Sequence, residues 1–329
     1  MDKKKWLFPA AIIFCLTASI LSLVLGAVRL SPVQLWQALT EGPKTTAGYI
    51  FWYARLPRTA ACLLSGAALA VSGAVIQAVL SNKLASPGII GVNAGAGLAV
   101  TFCCVLGFLS GWVIALSAFG GAMISVLLVM FTAEKTGASR TTVILGGVAV
   151  NSFLGALSEA LTTLVPDAGV LSGDFRVGGF SSVVPVRLVP AGILICCSLM
   201  ILLTLHNDLD VLALGEETAR SLGMPVKKMR TLFLILSAML AGASVSFAGL
   251  LGFVGLIVPH AVRNLVGSKS GHLLPLCAIG GAGFVTACDL VSRLLFIPYE
   301  LPVGILMSVL GGPFFLALLI KRKGRCPHA

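Results

Sequence analysis

Asp208–Arg230, DLDVLALGEETARSLGMPVKKMR, is a charged island in a very apolar chain. Asp208, Asp210, Glu216, Glu217, Arg220, Lys227, Lys228 and Arg230 all fall inside it. Apolar runs lie on both sides, Val189–Leu205 before it and Thr231–Leu251 after it. Each is close to the roughly 20 residues that a helix needs to cross the hydrocarbon core of a bilayer. An island between two such runs reads as a loop joining two membrane spans. A membrane protein that concentrates its few charges on one internal loop is expected to use that loop to meet a soluble partner.

Composition extends this reading to the whole chain. Of 329 residues, 57% are hydrophobic and 11% charged, and the mean hydropathy is +1.02. Soluble domains carry roughly 25% charged residues, so the class is an all-α polytopic membrane protein with a single transmembrane domain over 1–329. Ten apolar segments follow: Leu7–Val28, Thr59–Leu80, Asn93–Leu109, Trp112–Thr132, Thr142–Val165, Val189–Leu205, Thr231–Leu251, Phe253–Gly267, Leu273–Leu295 and Pro302–Ile320. The third, sixth and eighth are short, and Pro259 with His260 marks the eighth as a candidate broken helix. The basic start Met1-Asp-Lys-Lys-Lys resembles a signal peptide, but the run behind it is long and lacks a clean cleavage site, so it reads as a retained first span. The 37 glycines predict a closely packed bundle. The nine cysteines, Cys326 in the tail included, show no CxxC and read as small apolar fillers. No metal site is expected.

Ten spans place both termini on one side. Sixteen Lys and Arg then share that side, while Arg29, Lys44, Arg55, Arg58, Arg176, Arg187 and Arg293 lie on the other. Lys and Arg collect in cytoplasmic loops, which makes both termini and the island cytoplasmic. A faint repeat runs through the chain as well. Leu64-Ser-Gly66-Ala67 with Gly73 matches Leu240-Ala-Gly242-Ala243 with Gly249, in spans two and seven, which run in opposite directions. Inverted repeats are a transporter signature, although this match is short and rich in Gly and Ala.

Three stretches carry a family resemblance. The first is Arg55-Leu-Pro-Arg58, then LSGAALAVSGAVIQ over 64–77, then Asn82-Lys-Leu-Ala-Ser-Pro-Gly88. The second is the island, with Ala219-Arg-Ser-Leu-Gly223. The third is Gly252-Phe-Val-Gly-Leu-Ile-Val-Pro-His260, continuing to Asp289, Arg293 and Glu300-Leu-Pro-Val-Gly304. In this order and spacing the chain resembles the FecCD-type permeases of ABC importers, which take up iron–siderophores, haem and cobalamin.

The resemblance implies a type II importer permease of about ten helices in the bacterial cytoplasmic membrane. Its implied partners are a second permease subunit, two cytoplasmic ATPases and an extracytoplasmic substrate-binding protein. The chain has no G-x-x-x-x-G-K-[ST], so it is expected to be no enzyme itself. ATP and magnesium would belong to the partner ATPases, and no cofactor is expected here. An iron–siderophore complex is the expected cargo, with haem or cobalamin as the alternative.

The resemblance also assigns candidate residues. Glu216, Glu217, Arg220, Ser221, Leu222 and Gly223 would form the helix that couples to the ATPase, ended by Gly223 and Pro225. Arg55, Arg58 and Arg293 would receive acidic residues of the binding protein, which suits the planar fork of arginine; ordinary snorkelling at span ends is the competing reading. Asp289 stands four residues before Arg293 and can satisfy it, so Arg55 and Arg58 rank first. Asn82, Leu84, Thr141 and Thr142 would constrict the cytoplasmic end as a gate, or else simply cap loops. Asn151 and Glu159 are pathway candidates because polar groups inside spans are costly, although Glu159 is near a span end and open to solvation.

Some positions depart from the family pattern. Lys83 and Ser86 replace a common proline and a common acidic residue. Phe175 with Gly178-Gly179 stands where relatives have Trp then Gly-Ser, and Gly249-Leu-Leu-Gly252 has leucine where they often have proline. Two other classes compete. A proton-coupled transporter would work through Glu159 or Asp289. A membrane enzyme would need a nucleophile–base pair or metal cluster, and none is seen.

Overall fold

The computed structural model describes residues 3–26, 28, 31–135 and 140–323. Met1, Asp2, Arg29 and Cys326 lie outside the described residues, as does Arg325, one of the sixteen Lys and Arg on the side of the termini. The described chain is helical: α1 Lys3–Val24, α2 Pro32–Thr40, α3 Thr46–Tyr49, α4 Leu56–Val79, α5 Val92–Val105, α6 Gly111–Lys135, α7 Arg140–Leu164, α8 Pro166–Val177, α9 Pro185–Thr204, α10 His206–Ala213, α11 Glu216–Ser221, α12 Val226–Ala248, α13 Val254–Val266, α14 Ser270–Leu294 and α15 Val303–Lys323. A π-helical stretch, Ile50–Arg55, runs into α4. The ten expected spans correspond to α1, α4, α5, α6, α7, α9, α12, α13, α14 and α15. The third and eighth are short, at 14 and 13 residues. The sixth is not: it has 20 residues, because Pro185 starts the helix earlier than the apolar run suggests.

Helix α4 is the axis of the bundle. Its sequence is almost all small and apolar, and α12 and α14 pack along it with α13 and α9. Gly66 of α4 and Gly281 of α14 lie backbone to backbone, with no room for a Cβ on either. Gly242 of α12, the repeat counterpart of Gly66, faces Phe119 and Ala122 of α6, 3.3 and 3.4 Å from where its Cβ would be. The second span therefore packs on the ninth as the seventh packs on the fourth, an exchange between the halves that an inverted repeat requires. Where α4 and α12 cross antiparallel, Ser65 Oγ meets Ser244 Oγ at 2.6 Å and Ser72 Oγ donates to the Ser237 carbonyl at 2.7 Å. Buried hydroxyls in a membrane bundle hydrogen-bond across helices in this way because no water is there to satisfy them.

The eighth span is not broken at Pro259. It is one helix, α13, with the proline inside it. Proline lacks an N–H, so the carbonyl four residues earlier, that of Gly255, loses its helical partner. Gln77 of α4 supplies the replacement: its Nε2 donates to the Gly255 carbonyl at 3.0 Å. Its Oε1 accepts from Arg263 Nη1 at 2.8 Å. One buried amide thus repairs the proline defect and holds the next turns of the same helix. Gly73 makes this possible, since it lets the backbone of α13 press against α4 at Gly255.

Short α5 and short α13 occupy corresponding places in the two halves, and irregular backbone precedes each. Before α5, the segment 81–91 folds inward until the Ile89 carbonyl lies against Gly147 of α7. Before α13, the chain turns at Gly249 (φ +70) and Phe253 (φ +64), and the Phe253 ring covers Gly311 of α15.

Candidate functional site

Two polar ends flank the apolar bundle. The island end carries α10, α11 and the starts of α12 and α14. The arginine end carries the start of α4, the end of α14 and the loop 296–302.

At the island end, Gly215 (φ +125) leads into α11 and Gly223 (φ +80) closes it. The Gly223 N–H bonds the Arg220 carbonyl at 2.9 Å and the Met224 N–H bonds the Ala219 carbonyl at 3.0 Å. This is the glycine-dependent stop that a left-handed residue allows. Ala219 is buried beneath the helix, while Glu217, Thr218, Arg220, Ser221 and Leu222 face outward. Glu216 points inward instead. It pairs with Arg220 at 2.7 Å and with buried Arg230 at 2.8 Å, which ties α11 to the first turn of α12. Asp210 Oδ1 accepts from the Ser270 N–H at 2.9 Å and so caps α14, whose own preceding residue, Lys269, offers no cap. The island is therefore braced at both flanks, with an outward face of Leu214, Glu217, Thr218, Ser221 and Leu222.

The gate candidates sit on two elements of this end. Asn82 Oδ1 accepts from the Leu84 N–H at 3.0 Å in a tight turn after α4. Thr141, exposed, and Thr142, half-buried, lie in the first turn of α7. The link between these elements is made higher in the bundle by Asn151. Its Nδ2 donates to the carbonyls of Gly88 and Ile89 at 2.8 and 3.1 Å. Backbone at that depth needs a donor from a neighbouring helix, and this amide is turned to that purpose. Glu159, two turns further on, is exposed and paired with Arg176 of α8.

The arginine end differs from the ranking drawn from sequence. Arg55 is buried, and its guanidinium donates to the carbonyls of Leu23 and Val24, orphan acceptors at the end of α1, and to that of Val28 just beyond it. It is not free to receive a carboxylate from outside. Asp289, fully buried, does pair with Arg293 at 3.0 Å, but it also holds Arg58 through both oxygens. Arg293 Nη2 reaches Ser22 Oγ at 2.7 Å, and that hydroxyl meets Thr59 Oγ1 at 2.8 Å. Arg58 Nη1 continues outward to Glu300 at 2.7 Å. The cluster locks α1, α4 and α14 together and leaves Arg58 as the arginine nearest the surface.

This architecture matches known proteins along almost its whole length. The model of the FecCD transport family matches residues 13–321. The chain belongs to the FecCD transport family. The vitamin B12 import system permease protein BtuC of Salmonella typhi is 38% identical over 332 residues, 96% of this chain and 95% of that protein. The protein of the same name from Salmonella paratyphi A is 37% identical over the same shares. A solved metal-chelate type ABC transporter in an inward-facing conformation superposes with TM-score 0.84 at 29% identity, covering 96% of this chain and 99% of that one. PsaBC from Streptococcus pneumoniae in complex with Fab shares the fold at TM-score 0.56 and 18% identity, over 79% and 88%. The fold is that of the type II ABC importer permeases, and the chain is a multi-span transport subunit.

Two departures from the FecCD sequence pattern touch each other. The Leu250 N–H donates to the Phe175 carbonyl at 2.9 Å, and the Gly179 N–H donates to the Ala248 carbonyl at 2.8 Å. Proline at 250 has no N–H to make the first bond, so this link to the end of α8 needs a residue other than proline there. Sequence reasoning quoted Gln77, Asp210 and Glu300 without assigning them roles. The available signal for Gln77 was a lone amide within a span of small and apolar residues, six positions from the nearest charge, Lys83.

Proposed function

We propose that this chain is the membrane permease of an ATP-driven importer for cobalamin or a closely related corrinoid. The observation that carries this reading is the 37–38% identity, along nearly full length, to permeases named for vitamin B12 import. It displaces the iron–siderophore cargo expected from sequence motifs alone. The permease makes and breaks no bond. It offers access to alternate sides of the bacterial cytoplasmic membrane, and two partner ATPases that bind ATP and magnesium drive the change.

The Lys and Arg distribution supports a cytoplasmic island end and cytoplasmic termini. The outward face of the island, with Leu214, Glu217, Ser221 and Leu222, would seat in the ATPase, and Glu216 with Arg220 and Gly223 would keep α11 rigid enough to transmit force. Asn82, Leu84, Thr141 and Thr142 would border the cytoplasmic exit. Glu159 with Arg176 would face the hydrated side of the pathway, since an exposed ion pair is costly against hydrocarbon. At the opposite end Arg58 would meet a carboxylate of the binding protein, with Arg55 and Arg293 supplying positive potential behind it. A second permease subunit completes the pathway.

The test is uptake into proteoliposomes holding this chain with its ATPase and binding protein. ATP-dependent accumulation of labelled cyanocobalamin is expected. Accumulation of a ferric siderophore with none of cyanocobalamin would return the cargo to the iron reading. A proton gradient that drives uptake without ATP would overturn the class.

A further inference from the structure

At the arginine end a cavity of about 140 Å³ opens beside Gly26 and Val28, lined by Arg55, Arg58, Arg293 and Glu300. Its charges do not cancel: three guanidiniums face the carboxylates of Asp289 and Glu300, which leaves one positive charge uncompensated. The two carboxylates hold very different positions. Asp289 is buried in the last two turns of α14 and is fixed by Arg58 and Arg293 together. Glu300 sits on the loop after α14, its side chain 35% exposed, and it holds Arg58 through one bond of 2.7 Å. It occupies the outward-facing nitrogen of the guanidinium, the one that a carboxylate arriving from outside would reach first.

We propose that Glu300 is an internal placeholder on Arg58, which an acidic side chain of the docking partner displaces. This rests on the reading of Arg58 as a docking residue. Burial fixes Asp289 as the permanent counter-charge, whereas a loop carboxylate with a single, partly solvated bond is held weakly. While Glu300 is bound, Arg58 is satisfied and the loop is tied to α4. When a partner carboxylate takes its place, the loop is released while Arg58 keeps a counter-charge. Docking and loop release are then one event, and in the resting permease Arg58, the arginine nearest the surface, is already paired.

The experiment measures binding of the importer's own substrate-binding protein to the permease–ATPase complex in nanodiscs, by rates and equilibrium. Wild type is compared with Glu300→Gln, Glu300→Asp and Arg58→Ala. Affinity falls by the fraction of molecules in which the site is free, so a placeholder present nine-tenths of the time makes Glu300→Gln bind about tenfold tighter. The gain is expected in the association rate, and Glu300→Asp, too short to reach Arg58 as closely, should move the same way. Arg58→Ala should weaken binding. If Arg58→Ala weakens binding while both Glu300 variants leave it unchanged or weaker, the placeholder is refuted and docking stands. If Arg58→Ala has no effect, the docking reading itself fails and the placeholder with it.

Discussion

Replacing Gln77 by leucine tests whether one amide repairs the proline defect in α13. Leucine has nearly the same volume, so the cavity contribution that accompanies truncation is small. What is lost is polar. Gly255 is buried and its carbonyl lacks the donor four residues on because residue 259 is proline, and leaving such an acceptor unsatisfied costs about 1–3 kcal/mol. The bond from Arg263 carries charge and is worth about 1.5–3 kcal/mol in soluble proteins. Measured hydrogen bonds between membrane helices are weaker, about 0.6 kcal/mol on average and about 1.7 at most. Gln77 is only 3% exposed and its acceptor lacks the usual donor four residues on, at Pro259, so the upper part of that range applies to each bond. The expected destabilisation is about 2–3 kcal/mol, read by unfolding the purified protein in mixed micelles with increasing SDS. Pro259→Ala restores an N–H that can bond the Gly255 carbonyl. In that background Gln77→Leu should cost about 1 kcal/mol less, a coupling that the double-mutant cycle isolates. Equal costs in the two backgrounds would refute the proposed repair.

Other expectations are simpler. Gly66→Leu forces a side chain into the Gly281 backbone and should abolish monodisperse protein on size-exclusion chromatography, whereas Gly120→Leu, where a Cβ meets nothing, should be tolerated. Asn151→Leu removes both donors to the inward-folded segment 81–91 and should destabilise by about 1–2 kcal/mol in the same SDS titration. Leu250→Pro deletes the bond to Phe175 and should raise protease or hydrogen-exchange accessibility at the end of α8; unchanged exchange there would speak against that contact. Glu216→Ala unties α11 from Arg230 and should lower transport per ATP hydrolysed more than Glu217→Ala does, because Glu217 makes no brace.

The ten spans were legible because long apolar runs separated by charge have one stable form in a bilayer, the helix with its own backbone bonds satisfied. The shortness of the third and eighth spans could also be read from their lengths. The loop structure of 32–53 and the small helices α2, α8 and α10 could not, since short polar segments carry little periodicity. Among the candidate residues, position along a span was readable and direction was not. Arg55 and Arg58 are three residues apart in one motif, yet one caps the end of α1 and the other reaches toward the surface. Asn151 is a polar misfit along its span, and only the fold brings the Gly88 and Ile89 carbonyls against it.

The sequence by itself determined the class: its apolar fraction requires a membrane, its motifs place it among FecCD permeases, and its charged island marks an end that meets water. The tertiary structure decided what each polar group is for. Gln77 and Pro259 are 182 positions apart in the chain, and the need of one for the other exists only where α4 and α13 touch. A buried donor finds its acceptor across helices rather than along them, and linear spacing does not encode that meeting.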